Sequence, residues 1–131
     1  MAGNLILIRG LPGSGKTTMA KELLKVLDAV HVEADMYFIN ANDGNYNFNP
    51  KCLHQAHSWC RAIASEGLSL GRNIIVSNTF TTQKEMKPYL NMDYDSIAIF
   101  EAKGKYKSIH NVPKETIKKM KDRWVDLYES D

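Results

Sequence analysis

Residues 10–17 read GLPGSGKT, and Gly10, Gly15, Lys16 and Thr17 fill every fixed place of the spacing G-x-x-x-x-G-K-[ST]. With glycine at about 7% of average composition, a chance match in a chain of this length is roughly one in a few hundred. The chemistry that this spacing supports is capture of a polyphosphate. Glycines let successive backbone N–H groups wrap a phosphate, and the start of the following helix adds a favourable dipole. The lysine is placed to bridge the β- and γ-phosphates of a nucleoside triphosphate, and the threonine hydroxyl to ligate Mg²⁺. The predicted phosphate-binding set is Gly10, Pro12, Gly13, Ser14, Gly15, Lys16, Thr17 and Thr18. These residues say where a phosphate chain binds and leave its fate open.

Asp35 is the residue whose chemistry could decide that fate. It follows a strand pattern, and in a parallel sheet it emerges at the same edge as the phosphate loop. A carboxylate there accepts a proton from an attacking hydroxyl. The same residue also reads as a helix cap before MYFI, and Glu33, two positions earlier, is a weaker claimant to the base role.

Charge adds a further hint. Residues 102–123 carry eight Lys and Arg against two acids, a local balance of +6 in a chain whose net charge is +2. That segment suits a polyanion, although a solvated helix face has the same composition. Lys114, Lys118 and Lys121 share one helical face by their spacing.

Other groupings point away from chemistry. Cys52 and Cys60 form no CxxC pair, and His54, His57 and Cys60 read as helix packing rather than a metal site. NANDGNYNFNP, residues 40–50, contains a turn signal at Asp43-Gly44. It is not a calcium loop, because with Gly44 sixth the first and twelfth positions fall on Ile39 and Pro50.

The elements that must position these residues alternate along the chain. Strands are predicted at 5–9, 30–33, 73–77 and 97–100. Helices are predicted from 16 to 27, from the Asn49-Pro50 start to about 66 with Gly67 and Gly71 marking the exit, and over 81–90 with Pro88 kinking or shortening it. A loop at 103–111 leads to a last helix opened by Pro113, with Ile117, Met120, Trp124, Leu127 and Tyr128 on its inner side. Alternating strands and helices predict a layered α/β domain with a parallel sheet. The length of 131 residues suits one domain, and the longest early apolar run, Leu5 to Ile8, is too short for a membrane span or signal peptide, so a cytoplasmic protein is expected.

Taken in order, LILIRGLPGSGKTT, EADMYF, DGNYNFNPKCLHQAHSWC, NIIVSNTFTTQKEMKPY and GKYKSIHNVPKETIKKMKDRW cover most of the chain. They resemble small P-loop kinases of the polynucleotide-kinase-like group, near the NEDD4-binding-protein-2-like kinase domains and the zeta-toxin and AAA-type P-loop ATPases. The resemblance implies a three-layer, nucleoside-kinase-like P-loop fold with about four parallel strands, a single domain over 1–131 and a short basic lid at about 102–112. It implies ATP and Mg²⁺ as cofactors and phosphoryl transfer to a hydroxyl, DNA or RNA 5′ ends being the best-known acceptors. Lys16, Asp35 and Lys107 are then the catalytic set, with Asp35 in the place of the base. Thr17 and Asp35 serve the metal, and Arg123 joins the nucleotide-binding residues. His110 matches the lid histidine of the family.

Three places depart from the family pattern. Phe38 stands where phage-type polynucleotide kinases have an arginine, SNTF (Ser77, Asn78, Thr79, Phe80) lacks the usual strand-three acid, and Lys107 replaces a lid arginine. Lys103, Lys105 and Arg123 are the stand-ins for that arginine, and Tyr37, Phe80 and Tyr106 read either as rings that stack on a base at the cleft or as core. Two other readings remain open beside the polynucleotide kinase: a kinase for a nucleoside, nucleotide or sugar, and an ATP-binding regulator with little transfer activity. No N-K-x-D guanine signature is present, which argues against a GTPase switch.

Overall fold

The computed structural model describes residues 2–39 and 43–104. Four strands, β1 (Leu5–Arg9), β2 (Ala29–Val32), β3 (Asn73–Asn78) and β4 (Ile97–Glu101), form one sheet in the order β2-β3-β1-β4 with every pair parallel. Leu5 lies opposite Ile74 on one side and Ile97 on the other, so β1 is central. Side chains alternate across a strand, and the sequence uses both faces. Leu5, Leu7, Val32, Ile74 and Val76 face α2 (Leu53–Ser69) through its Ala56, Cys60, Ala64 and Leu68. Ile6, Ile8 and Ile75 face the opposite way, towards Ala20 and Leu23 of α1 (Lys16–Leu24). Helix, sheet and helix thus make three layers.

Several boundaries differ from expectation for local reasons. The first helix closes at Leu24 rather than 27, because Val26 and Leu27 turn their N–H groups back to the Leu23 carbonyl and lead the chain into β2. Gly67 does not mark the end of α2. It lies within the helix, buried against Ile74, where a β-carbon would come 2.4 Å from Ile74 Cδ1. The exit is at Gly71, with φ of 81°. Asn49 accepts from the Lys51 N–H, as a cap should, but the first turn Pro50–Cys52 is 3-10 before α2 proper begins. The third helix, α3 (Gln83–Leu90), runs through Pro88 and starts on a reciprocal capping box between Thr82 and Glu85. The Asp43-Gly44 turn sits in a small hairpin, with Ile39 bridged to Tyr46 and the Asn47 N–H bonded to the Phe38 carbonyl at 2.9 Å.

Parallel strands bring their C-terminal ends to one edge, and Arg9 ties that edge together. Its side chain is fully buried at the end of β1. Nη2 and Nε donate to the Phe80 carbonyl at 2.8 and 3.1 Å, and Nη1 lies 3.4 Å from Glu101 Oε1. Phe80 adopts a positive φ of 47°, unusual for a bulky residue, and its carbonyl takes both of those Arg9 bonds. Arg9→Met is expected to lower unfolding free energy by about 3 kcal/mol, because it takes the guanidinium donors from the buried Phe80 carbonyl and removes one of the two cations paired with Glu101. Urea denaturation checks this, and a loss below about 1 kcal/mol would contradict the bracing role.

Candidate active site

The phosphate loop joins β1 to α1 as a tight ring. Ser14 N–H bonds to the Leu11 carbonyl at 3.0 Å, and Gly15 takes a left-handed φ of 93° just before α1 begins. Gly10 has no room for a side chain: a β-carbon there would meet Ser14 Oγ at 2.2 Å and the Ala102 carbonyl at 3.0 Å. Three features fit this ring to an anion. The Ser14 hydroxyl is buried with no hydrogen-bond partner among the described residues, a position that costs about 1–3 kcal/mol when left unsatisfied. The start of α1 carries no side-chain cap and no acid in its first turn, so its N–H groups and dipole remain available. Pro12 and Gly13 line the loop tip half-buried, while Thr18 turns its side chain outward and contributes a first-turn backbone N–H.

Lys16 lies back across the loop, with Nζ donating to the Leu11 carbonyl at 3.3 Å. Burial lowers its pKa, and the nearby Glu33 and Asp35 carboxylates act to raise it. Both acids predicted around the end of the second strand are therefore felt at the phosphate-loop lysine.

Of those two acids, Glu33 is the one in contact with the loop. Its Oε1 accepts from Thr17 Oγ1 at 2.6 Å and from Ser77 Oγ at 2.7 Å, and His31 Nε2 lies 3.2 Å away. Ser77 spends its single proton on Glu33, so at 2.6 Å it accepts from His31, which places a hydrogen on Nε2. Burial on its own would push the Glu33 carboxyl up, but the hydrogen bonds from His31, Thr17 and Ser77, with the His31 charge, hold it at about 2. Sequence reasoning ranked Glu33 below Asp35 and passed over His31. The signal was the alternation of positions 29, 31 and 33, which puts Ala29, His31 and Glu33 on the α1 face of one strand.

Strand three resolves differently from expectation. Ser77 and Asn78 point to opposite faces, so they do not share the place of the missing acid. Ser77 faces Glu33, whereas Asn78 faces α2, accepts from the Ala34 N–H at 2.9 Å and donates to Cys60 Sγ at 3.6 Å. Asn78 is a brace for the 3-10 turn Ala34–Phe38, which carries Asp35. Phe80 is also not at the cleft: it is 3% exposed and packs edge-on against Tyr89 at 5.4 Å.

Asp35 is half-buried on that turn, and Tyr46 donates its phenol to Asp35 Oδ1 at 3.4 Å. Burial, and then the Asp35 charge and hydrogen bond, push the Tyr46 phenol up to about 12. Phe38, in the arginine position of the family pattern, is buried among the rings of Tyr37, Tyr46 and Phe48 at 5.5, 6.2 and 5.1 Å. Tyr46 and Phe48 lie nearly parallel, 11° apart, and Phe48 is 49% exposed. Tyr37 leans on Trp59 of α2 at 5.9 Å.

After β4 the chain passes directly beside the loop: Ala102 N–H bonds to the Arg9 carbonyl at 2.8 Å and Gly104 N–H to the Ser14 carbonyl at 2.9 Å. Lys103 is exposed and pairs with Glu101 at 3.5 Å. Of the basic lid expected at 102–112, only residues 102–104 are described, and they lie against the phosphate loop. Lys105, Tyr106, Lys107, His110 and Arg123, with the basic final helix, lie outside the described residues.

Known proteins share this arrangement. The chain matches the family model described as AAA domain over residues 5–103. It is 34% identical to human NEDD4-binding protein 2 over 135 residues, an alignment covering 92% of this chain and 8% of that protein, so the chain spans a small part of its relative. Among solved structures, one of the Pnkp1/Rnl/Hen1 complex superposes with a TM-score of 0.63 at 21% identity, over 90% of this chain and 38% of that one. The APS kinase CysC of Mycobacterium tuberculosis gives 0.53 at 15%, over 93% and 96% of the two chains. A sugar kinase from Janibacter gives 0.55 at 15%, over 98% and 70%. The parallel sheet, the phosphate loop closed by Gly10 and these likenesses lead to one conclusion: the chain belongs to the AAA domain family and has the P-loop kinase-like fold.

Proposed function

We propose that the chain transfers the γ-phosphoryl group of ATP to a hydroxyl acceptor, with a nucleic-acid 5′-hydroxyl as the favoured acceptor. The observation that carries this is the placement of Asp35. It stands at the strand-end edge, its charge is felt by Lys16, and its carboxylate is oriented by the Tyr46 phenol.

In this reading the amides of residues 13–18 and Lys16 hold the triphosphate. Thr17 and Asp35 would hold Mg²⁺ through oxygen ligands of the kind that suit it, and the ion would supply positive charge against the phosphates. Asp35 takes the proton of the acceptor hydroxyl. Lys107 is the lid cation over the transferred group, and Arg123 a further nucleotide contact. Support for a base-bearing acceptor comes from the half-exposed Tyr46–Phe48 pair next to Asp35, since an exposed ring offers a stacking face. The +6 segment that leaves the phosphate loop suits a polyanion.

One observation favours a second reading. Phe38 is a buried apolar ring where phage-type polynucleotide kinases have an arginine, so this position offers no cation to a phosphate of the acceptor, which suits a small nucleoside or sugar. The regulator reading draws on Phe38, Ser77, Asn78 and Phe80, and Glu33 beside Thr17 weighs against its strand-three part.

Transfer is tested with γ-labelled ATP and Mg²⁺ offered 5′-hydroxyl oligonucleotides, mononucleosides or no acceptor. Label is expected on the oligonucleotide. Asp35→Asn should keep ATP affinity within about threefold and lower transfer by about 10²–10⁴-fold, whereas Lys16→Ala should lose most nucleotide affinity. An Asp35→Asn variant with full activity would remove it from the base role. Phe48→Ala should raise KM for the oligonucleotide about 5- to 100-fold, the equivalent of a stacking contact of about 1–3 kcal/mol, and leave KM for ATP unchanged. Equal oligonucleotide KM in both proteins would point to the small-acceptor reading.

Charge at neutral pH also has a measurable consequence. The folded-state pKa of Glu33, about 2, lies below its ordinary 4.5. Its stabilising contribution, on the order of 3 kcal/mol, is therefore fully present above pH 4.5 and drains away as pH falls from 4.5 towards 2. Urea midpoints of metal-free protein should fall across that window, and Glu33→Gln should flatten the fall. Parallel curves for the two proteins would refute it.

A further inference from the structure

P-loop enzymes ordinarily fix the loop hydroxyl and its Mg²⁺ with an acid from a neighbouring strand, the Walker-B aspartate. In this chain the β3 residue that meets the same carboxylate oxygen as Thr17 is Ser77, which carries no charge. We propose that Glu33, reaching from the end of β2, is the positioning carboxylate for Thr17 and Mg²⁺, and that Ser77 is its complement rather than a loss. The inference rests on the nucleotide reading above and deepens it.

The sheet order makes the argument. β3 lies between β2 and β1, so a side chain from β2 meets the loop after β1 only by crossing over the end of β3. Two conditions follow. The acid must be long, and the residue beneath it on β3 must be small. Glu33 and Ser77 satisfy both, and the serine also donates to the carboxylate it lets pass, at 2.7 Å.

The hydrogen-bond directions agree with a metal-facing role for Thr17. Its one hydroxyl proton points to Glu33 at 2.6 Å, which leaves its oxygen lone pairs for a cation. His31 donates to Ser77 and lies 3.2 Å from Glu33 Oε1, so Ser77 and His31 hold the same carboxylate oxygen that Thr17 reaches from the loop. All of these bonds fall on Oε1. Glu33 Oε2 accepts none among the described residues and stays available to the hydrated ion. Outer partners of this kind orient a ligand, and their loss typically lowers metal affinity about 10- to 100-fold.

The test uses the full chain with ADP as the probe and calorimetric titration as the readout, in EDTA and across a Mg²⁺ series. Wild type is expected to bind ADP more tightly as Mg²⁺ rises. Glu33→Gln should need about 10–100 times more Mg²⁺ for the same gain, with affinity in EDTA changed by less than about threefold. A merely structural role would not separate those two numbers. Moving the acid back, with Glu33→Ser and Ser77→Asp together, should restore the Mg²⁺ response to within about fivefold of wild type. A Glu33→Gln protein with wild-type Mg²⁺ dependence overturns the proposal. If Glu33→Gln does not fold, the double variant decides: a restored response supports the assignment, and a folded protein without one overturns it. A wild type that binds no ADP in either condition overturns the nucleotide reading itself, and is seen before any variant is compared.

Discussion

A carboxylate shut between two strands and a helix has to be met by donors, because an ion left bare in that setting is heavily penalised. The way this chain meets Glu33 organises the whole phosphate edge. Thr17 approaches from α1, Ser77 from β3 and His31 from β2 itself. The register of β2 on β3, with Val32 opposite Val76, is what lets those three converge. A slip of one residue along β2 would carry His31 and Glu33 to the opposite face, among the aliphatic side chains that pack on α2. The polar cluster therefore specifies alignment as much as it serves the loop.

The edge divides into two sides built in different ways. On the phosphate side most contacts come from backbone, and the limiting quantity is space: Gly10 is hemmed in by Ser14, Lys16 and Ala102. On the side of Asp35 the material is aromatic. Phe38, Tyr46 and Phe48 form a small packed cluster of their own, with Tyr37 and Trp59 at its margin. The hairpin with Gly44 at its turn folds Tyr46 back over the 3-10 helix and so brings its hydroxyl to the carboxylate.

Much of this was legible in the residues. The phosphate loop, the four strands and their parallel arrangement follow from spacing and from aliphatic runs that end in punctuation, because those signals are local. The placement of Asp35 at the loop edge follows from the same parallel logic. What could not be read depended on partners far along the chain. Asn78 and Ser77 are adjacent in sequence yet serve opposite layers, and only the pairing of β3 says which faces the loop. Phe80 reads equally as a cleft ring or as core, and the core reading is decided only by Arg9, 71 residues away, which takes its carbonyl where its backbone makes a left-handed turn. Arg9 itself reads as the polar end of a strand, since nothing local foretells a guanidinium buried between two strand ends. The basic segment beyond Gly104 was legible as composition alone.

The position of β1 carries a consequence for how the protein is made. β1 precedes both of its neighbours along the chain, and its hydrogen-bonding partners on either side begin only with residues 74 and 97. Pairings this distant in sequence must pay a large loop-closure entropy before any contact rewards them. The phosphate loop hangs from β1 and takes its closing contacts from Thr79 and Gly104. A nascent chain stopped after α2 thus contains every residue of the GLPGSGKT motif and its Glu33 partner, but neither the Thr79 nor the Gly104 contact that closes the loop. The loop waits for partners that the chain supplies later.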